Sequence, residues 1–277
     1  MEKNIRLLAL DLDGTLLNTR KCLTPACEDA LYAAAAQGTE IVPTTGRFFR
    51  GMPEAVRTLP FLHYAITVNG AQVYDVRQDR TVSRAEIPLA QAVDAMAQLE
   101  AYDLIYDCYV DGWGWITREF QEKAAEFVPD RYYLDMLRVL RTPVPELKAH
   151  LLRQGQDVQK IIIFTRTDAL QEALLASLPQ QFPQLIVTSS APHNIELNAP
   201  MANKGQALLA LADTLGIARE AIMAIGDGRN DLSMLRAAGL GVAMANAHPQ
   251  VLAQADAVTA DCDHDGVAQA IRRYIII

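Results

Sequence analysis

Two carboxylates stand close together at the end of a short apolar run near the start of the sequence. Residues 5–16 read IRLLALDLDGTL, so Asp11 and Asp13 come directly after the run Ile5–Leu10. An ionised carboxylate is costly in an apolar setting and is normally paired, hydrogen-bonded or bound to a metal. If Ile5–Leu10 is a buried parallel strand, both carboxylates lie at its carboxyl end, where open α/β sheets bind ligands. The pair therefore predicts a bound cation.

A second acidic cluster follows another apolar run much later in the chain. Residues 226–231 read GDGRND and come after a predicted strand, Ala221–Ile225. If the two strands are neighbours, Asp227 and Asp231 meet the first pair, and only a hard cation relieves their mutual repulsion. No His or Cys stands nearby, and an oxygen-only ligand set favours Mg²⁺. Either cluster alone could equally be a solvated turn, because Asp-Gly is a common turn dipeptide.

Two further segments favour phosphate chemistry over solvated turns. The segment Thr44-Thr45-Gly46, at the end of a second predicted strand, offers a hydroxyl and backbone amides to a phosphoryl oxygen. Lys204 stands at the start of a predicted helix, and a helix N-terminus itself attracts anions. Read alone, Lys204 could be a surface lysine. Together the four segments supply a nucleophile, an acid or base, a metal cage and phosphate contacts.

The elements that must position these residues alternate between strands and helices. An N-cap, a first-turn proline and a closing glycine predict a helix between Thr24 and Gly38, and Thr39–Pro43 predicts the next strand. Asn69-Gly70 predicts a hairpin turn between two strands, Ala65–Val68 and Gln72–Asp75. The last third predicts the helix Asn203–Leu215, the strand Ala221–Ile225, the helix Leu232–Ala238, the strand Leu240–Met244 and the helix Pro249–Gln254.

The character of the chain changes near Ser83 and changes back near Asn198. Both tryptophans and five of the nine tyrosines lie in between, and Pro143 and Pro145 predict a loop there. The predicted helices of this segment are Leu89–Tyr102, Arg118–Val128, Glu146–Gln154 and Ala169–Leu178, and the predicted strands are Leu104–Val110, Trp113–Thr117, Lys160–Thr165 and Leu185–Ser190. We therefore predict an α/β protein in which a smaller α/β domain interrupts a doubly wound parallel sheet.

Composition narrows the function further. The chain has 277 residues, of which 51% are hydrophobic, so it can bury a large core. Its 25 basic and 33 acidic residues give a net charge of −8, which argues against a nucleic-acid or membrane partner. The start resembles no secretion signal, and no apolar run is long enough to span a bilayer, so we expect a cytoplasmic protein. The four cysteines lack metal or disulfide spacing and are expected to be reduced.

The segments DLDGT, TTGR, NKG and GDGRND, in that order, resemble the four motifs of the haloacid dehalogenase (HAD) superfamily of phosphatases. The long insertion between the second and third motifs is similar to the C2 cap of the Cof-type subfamily, subfamily IIB. The resemblance covers essentially the whole chain. It implies a Rossmann-like catalytic core formed by 1–83 and 198–277, and an inserted cap, 84–197, that sets substrate specificity.

The resemblance also implies an activity and a role for each motif residue. The implied enzyme is a Mg²⁺-dependent phosphatase that hydrolyses sugar phosphates or phosphorylated cofactors through an aspartyl-phosphate. Asp11 would be the nucleophile and Asp13 the general acid and base. Phosphate and substrate contacts are implied for Leu12, Thr45, Gly46, Lys204 and Asn230, and metal contacts for Asp11, Asp13 through its carbonyl, Asp227 and Asp231, the last of which could instead support Lys204.

Two other functions stay open at this point. A phosphohexomutase of the same cap class would pass the phosphoryl group between sugar hydroxyls. A phosphosugar-sensing protein would bind the same ligand without turnover, although all four motifs are intact. The aromatic segment Tyr106–Trp115 could stack on a sugar or ring, or simply form a half-buried sheet face. We expect a monomer or small homo-oligomer whose partner is a small phosphorylated metabolite.

Overall fold

A computed structural model describes residues 4–189 and 192–276 of the chain. Within these ranges the chain forms two compact units. One unit, here called the core unit, consists of the chain up to Arg84 together with the chain from Ala202 onward. The other, here called the cap unit, is Ala85–Met201. The boundaries predicted from the sequence, 83/84 and 197/198, lie within a few residues of these.

Strands and helices are numbered here in chain order. The strands are β1 Leu7–Leu10, β2 Glu40–Pro43, β3 Tyr64–Thr67, β4 Gln72–Asp75, β5 Arg80–Arg84, β6 Leu104–Val110, β7 Trp113–Thr117, β8 Arg141–Val144, β9 Lys160–Thr165, β10 Ile186–Thr188, β11 Asn194–Asn198, β12 Ile222–Gly226, β13 Leu240–Ala243 and β14 Ala257–Val258. The helices are α1 Pro25–Ala36, α2 Glu54–Arg57, α3 Leu89–Leu99, α4 Arg118–Lys123, α5 Arg131–Leu140, α6 Leu147–Gln154, α7 Asp168–Gln181, α8 Lys204–Thr214, α9 Leu232–Ala237, α10 Pro249–Leu252 and α11 Gly266–Tyr274. Short 3₁₀ turns occupy Phe49–Gly51, Val68–Gly70, Ala124–Glu126, Arg219–Ala221 and Arg229–Asp231.

The core unit is built on a parallel sheet with the strand order β14-β13-β12-β1-β2. The two strands that carry the acidic clusters, β1 and β12, are neighbours, and Leu10 lies beside Ile225 in their register. Their carboxyl ends therefore lie at the same edge of the sheet. This pairing confirms the predicted α/β fold class with a parallel core sheet.

Helices cover both faces of this sheet. On one face Leu8 packs in a cluster with Leu31 of α1 and Ile271 of α11. On the other face Leu7 packs in a cluster with Leu208 of α8. All four residues of β1 are buried, as expected of a strand in a doubly wound sheet. The sequence analysis did not predict α11, which supplies part of the first cluster.

The predicted hairpin around Asn69-Gly70 is also present in the core unit. Strands β3 and β4 pair antiparallel, with Thr67 beside Gln72. A bridge between Thr44 and Ile66 links this hairpin to the end of β2. Strand β5 adds a third member that was not predicted, because its mostly exposed sequence RTVSR lacks alternating apolar residues.

The cap unit contains a six-stranded sheet with the order β10-β11-β9-β6-β7-β8. The prediction of a loop at Pro143 and Pro145 is wrong for Pro143, which lies in β8, whereas Pro145 lies between β8 and α6. Among the described residues β8 is an edge strand that pairs with β7 alone, and an edge tolerates the missing proline N–H. The predicted helix Arg118–Val128 ends as α4 at Lys123 and continues as a 3₁₀ turn. Ser190, predicted to end a strand, lies outside the described residues.

Two simpler expectations concern membrane-spanning helices and the cysteines of the described residues. No helix among them is both long enough and apolar enough to cross a bilayer. All four cysteines lie in the described ranges and are free thiols there, and Cys27, Cys108 and Cys262 are buried. Buried free thiols of this kind act as small apolar side chains.

Candidate active site

The core sheet brings the four motifs to one edge. Asp11 follows β1, Thr45 follows β2, and Asp227 follows β12. Lys204 is the first residue of α8, and the side chain of Asn203 caps this helix by accepting a hydrogen bond from the Gln206 N–H. Each functional side chain is thus placed by the end of a buried strand or by the start of a capped helix.

Lys204 is a buried ammonium group between two carboxylates. Its Nζ lies 2.5 Å from Oδ1 of Asp11 and 2.5 Å from Oδ1 of Asp231. The lysine has no solvent-exposed surface. Burial by itself would lower the pKa of Lys204, but the charges of Asp11 and Asp231 raise this pKa above its ordinary value. Lys204 therefore stays positively charged next to the carboxylate of Asp11.

Negative charge nevertheless exceeds positive charge in this cluster. Carboxylate oxygens of Asp11, Asp227 and Asp231 all lie within 4.8 Å of one another. Burial and the charge of Asp231 raise the pKa of Asp11 well above its usual range, against the effect of Lys204. Burial and the charge of Asp231 also raise the pKa of Asp227 to about 6, despite a hydrogen bond from Thr15. An oxygen-only donor set with uncompensated charge fits a divalent cation such as Mg²⁺.

Asp231 has both of its carboxylate oxygens engaged by protein groups. One oxygen, Oδ1, contacts Lys204. The other, Oδ2, accepts hydrogen bonds from the backbone N–H groups of Asp227 and Gly228, at 2.9 and 2.8 Å. Asp231 therefore holds Lys204 and the loop that carries Asp227 in one arrangement.

The carboxylate of Asp13 is held by two cations to which the sequence analysis gave no role. Arg47 donates from Nε and Nη2 to the two oxygens of Asp13, both at 2.7 Å, and Lys21 Nζ lies 3.0 Å from Oδ1. Burial would raise the pKa of Asp13, but Arg47 and Lys21 together lower it. Arg47 is the last residue of the TTGR motif, and this position was a sequence signal that Arg47 belongs to the site. Lys21 lies in no motif.

Three of the residues expected to contact phosphate, Thr45, Gly46 and Asn230, lie around Asn69. The Nδ2 of Asn230 donates to Oδ1 of Asn69 at 3.1 Å. The backbone of Gly46 lies so close to the same side chain that a Cβ at this position would be 2.9 Å from Asn69 Oδ1. Asn69 also donates its backbone N–H to the carbonyl of Thr45. The sequence analysis assigned Asn69 only to a turn, and its left-handed backbone, with φ of 56°, fits that assignment.

Thr45 and Leu12 differ in what they can offer to a phosphate. Thr45 is buried, and its hydroxyl oxygen accepts a hydrogen bond from the Arg47 N–H at 3.2 Å. The Leu12 side chain is fully buried in the apolar core. Leu12 could therefore meet a ligand only through its backbone.

Comparisons with known proteins point to one family. A family model described as haloacid dehalogenase-like hydrolase matches residues 8–271. Phosphatase YwpJ of Bacillus subtilis is 32% identical over an alignment that covers 98% of this chain and 100% of that protein. The 5-amino-6-(5-phospho-D-ribitylamino)uracil phosphatase YcsE of the same bacterium is 29% identical, covering 99% of this chain and 97% of that protein. A solved structure of a haloacid dehalogenase-like hydrolase from B. subtilis is 31% identical, with a TM-score of 0.80 and coverage of 97% and 99%.

Proposed function

Because the chain belongs to the Cof-type haloacid dehalogenase-like hydrolases and is a phosphatase of that family, we propose that it works with Mg²⁺ and an aspartyl-phosphate intermediate. The observation that carries this proposal is the carboxylate of Asp11, which follows the buried strand β1 and lies 2.5 Å from the ammonium group of Lys204. A carboxylate in that setting is suited to nucleophilic attack on a phosphoryl group.

The substrates are sugar phosphates or phosphorylated cofactors. The name of the relative YcsE gives a phosphate ester on a ribityl chain joined through an amino group to a uracil ring, which is a small phosphorylated metabolite. The cap unit sets the preference among such substrates. The cytoplasmic location and the monomeric or small homo-oligomeric state remain predictions.

Asp11 attacks the phosphorus atom with a carboxylate oxygen and takes over the phosphoryl group. Lys204, in contact with the same carboxylate, stabilises the charge that spreads over the phosphoryl oxygens. The Thr45 hydroxyl, the Gly46 backbone, Asn230 and the backbone at Leu12 bind the remaining oxygens. Water then releases the phosphate from Asp11.

Asp13 donates a proton to the leaving alkoxide and later accepts one from the attacking water. Donation needs a protonated carboxyl group, yet Arg47 and Lys21 lower the pKa of Asp13. The two hydrogen bonds from Arg47 must therefore loosen while substrate is bound. Arg47 acts as a positioning residue, because it holds the Asp13 carboxylate in place before substrate binds.

Asp11, Asp227 and the backbone carbonyl of Asp13 would hold the metal, with Asp231 beside them. The raised pKa of Asp227, caused by burial and neighbouring carboxylates, supports a cation at this point. When bound, Mg²⁺ neutralises charge on the phosphoryl oxygens and orients them.

Removal of divalent cations tests the metal proposal. We expect phosphate release from a panel of sugar phosphates and phosphorylated cofactors to fall at least about 100-fold after treatment with EDTA, and to return when Mg²⁺ is added. Ca²⁺ is the matched control, because it is larger and prefers more ligands, and we expect it not to restore turnover. Full release after EDTA treatment would contradict the proposal.

Isomerised sugar phosphate without free phosphate would indicate a mutase, and binding without turnover would indicate a sensing protein.

A conservative change at Arg47 tests its positioning role. We expect Arg47→Lys to lower kcat about tenfold, because lysine keeps the charge but cannot make the two-point contact with Asp13. Lys21→Gln is the control, since Lys21 reaches Asp13 through one oxygen and is partly exposed, and we expect less than a threefold effect. Steady-state kinetics on one substrate measures both. Equal effects of the two changes would speak against a special role for Arg47.

A further inference from the structure

The turn between β3 and β4 has an unusual backbone conformation. Its residues Val68, Asn69 and Gly70, here called the left-handed turn, all have positive φ, at 51°, 56° and 96°. Glycine adopts such angles freely and asparagine tolerates them, whereas a β-branched residue such as valine adopts them only under strain. All three residues are buried. Strain of this kind persists only where the surrounding structure holds it, and it is concentrated at functional sites.

Backbone hydrogen bonds tie the left-handed turn to the TTGR segment. The Val68 N–H donates to the Arg47 carbonyl at 2.9 Å. The Asn69 N–H donates to the Thr45 carbonyl, also at 2.9 Å. Arg47 and Thr45 are the two chain neighbours of Gly46, so these bonds hold the backbone on both sides of it. The left-handed turn therefore fixes the backbone that we expect to receive a phosphoryl oxygen.

The side chain of Asn69 joins two segments of the proposed site. Its Oδ1 accepts a hydrogen bond from Asn230 Nδ2 at 3.1 Å. A Cβ at Gly46 would lie 2.9 Å from the same oxygen and 3.6 Å from Asn69 Nδ2, so the whole amide group lies against the Gly46 backbone. Gly46 belongs to the segment TTGR and Asn230 to the segment GDGRND. One side chain therefore sets the spacing between two segments expected to bind the same phosphoryl group.

The left-handed turn also contacts the segment that carries Lys204. A Cβ at Gly70 would collide with the backbone of Asn203, the cap residue of α8. Both this close approach and the positive φ require glycine at position 70. Lys204 is the first residue of the same helix. The segments TTGR, NKG and GDGRND of the core unit thus all meet at one turn.

We infer that Asn69 is a positioning residue for the transferred phosphoryl group, because its amide holds the Asn230 side chain and the Gly46 backbone at a fixed spacing. If the turn alone mattered, glycine at position 69 would serve as well, since it adopts positive φ without strain. Asn230 is exposed, so without Asn69 its side chain would sample several rotamers in water. Groups held in place before the reaction stabilise developing charge without reorganisation. This inference rests on the proposed phosphatase function.

Replacing Asn69 with glycine separates the role of the turn from that of the side chain. Asn69→Gly keeps the left-handed backbone, so we expect the midpoint of thermal unfolding to shift by less than about 4 °C. We expect kcat/KM for phosphate release to fall at least about tenfold, because Asn230 and Gly46 lose their common contact. The fall should be similar for every substrate of the panel, since all of them share the phosphoryl group. A role in the turn alone would leave kcat/KM unchanged.

Binding of inorganic phosphate gives a measurement that does not depend on turnover. In isothermal titration calorimetry with Mg²⁺ present, we expect the Kd for phosphate to rise at least about tenfold in Asn69→Gly. Asp79→Gly is the matched control, because Asp79 is an exposed residue of the core unit that also has positive φ, at 48°. We expect Asp79→Gly to keep the wild-type Kd and kcat/KM. A wild-type Kd in Asn69→Gly would overturn the inference.

A second replacement tests the contact through Asn230. Asn230→Ala removes the group that Asn69 holds, so the two losses should overlap. We expect kcat/KM of Asn69→Gly/Asn230→Ala to exceed the value calculated from independent single losses by at least about threefold. Losses that simply multiply would also overturn the inference.

The proposed function is judged separately, by release of phosphate from p-nitrophenyl phosphate that depends on Asp11. If this release is absent while Asn69→Gly still weakens phosphate binding, the phosphatase mechanism fails and the role of Asn69 in holding phosphate stands. If the release is present and Asn69→Gly behaves like the wild-type protein, the mechanism stands and the role of Asn69 fails.

Discussion

Replacing Asp11 with asparagine is expected to reduce kcat for phosphate release by at least about 10⁴-fold, because an amide cannot take the phosphoryl group. The change should leave the fold intact. Asparagine has nearly the same shape, and Lys204 keeps its contact with Asp231. Burial and neighbouring charge already raise the pKa of Asp11, so a neutral side chain at this position removes an unfavourable charge. A folded, inactive variant is therefore the expected result.

The measurement pairs kinetics with detection of the intermediate. Rapid acid quench followed by peptide mass spectrometry should find a phosphoryl adduct on the peptide that contains Asp11 in the wild-type protein and none in Asp11→Asn. Asp213→Asn, at an exposed position of α8, is the matched control and should retain full activity. If Asp11→Asn purified free of other phosphatases kept more than about one-hundredth of the wild-type rate, Asp11 would not be the nucleophile.

The convergence of distant motifs was predictable because parallel sheets follow simple rules. Asp11 and Asp227 each follow an apolar run, and adjacent parallel strands place their carboxyl ends at one edge. Lys204 stands at the start of a helix whose cap residue, Asn203, is readable from the sequence. Backbone rules alone therefore bring these three side chains near one another.

Side-chain pairing across loops was not predictable in the same way. The contact of Arg47 with Asp13 and that of Asn69 with Asn230 depend on how loops pack, and no periodic pattern encodes this. The cap unit was harder still. Its strand β8 contains a proline, and its strand β11 reads NIELN, so neither resembles an apolar strand.

The second large effect is expected at Lys204, which contributes both to the stability of the fold and to catalysis. We expect Lys204→Met to lower the free energy of unfolding by about 3–5 kcal/mol, because it leaves the buried carboxylates of Asp11 and Asp231 without their cation. The difference in the free energy of unfolding between Lys204→Met and the wild-type protein should become smaller as the pH falls. Burial already raises the pKa of Asp11 and Lys204 opposes this effect, so without Lys204 the folded protein holds a proton on Asp11 more tightly than the unfolded chain does. Urea denaturation in EDTA at about pH 8 and about pH 5.5 measures both effects.

A second variant separates this loss of stability from the loss of catalysis. Lys204→Met/Asp231→Asn removes one of the two unpaired charges, while the asparagine oxygen can still accept from the N–H groups of Asp227 and Gly228. We expect it to recover part of the lost stability but none of the activity, which should stay about 10²–10³-fold below wild type because the phosphoryl oxygens lack their cation. Activity that recovered together with stability would mean that Lys204 only holds the fold. Activity that stayed low in a restabilised protein, and well below that of Asp231→Asn alone, would place Lys204 at the reacting phosphoryl group.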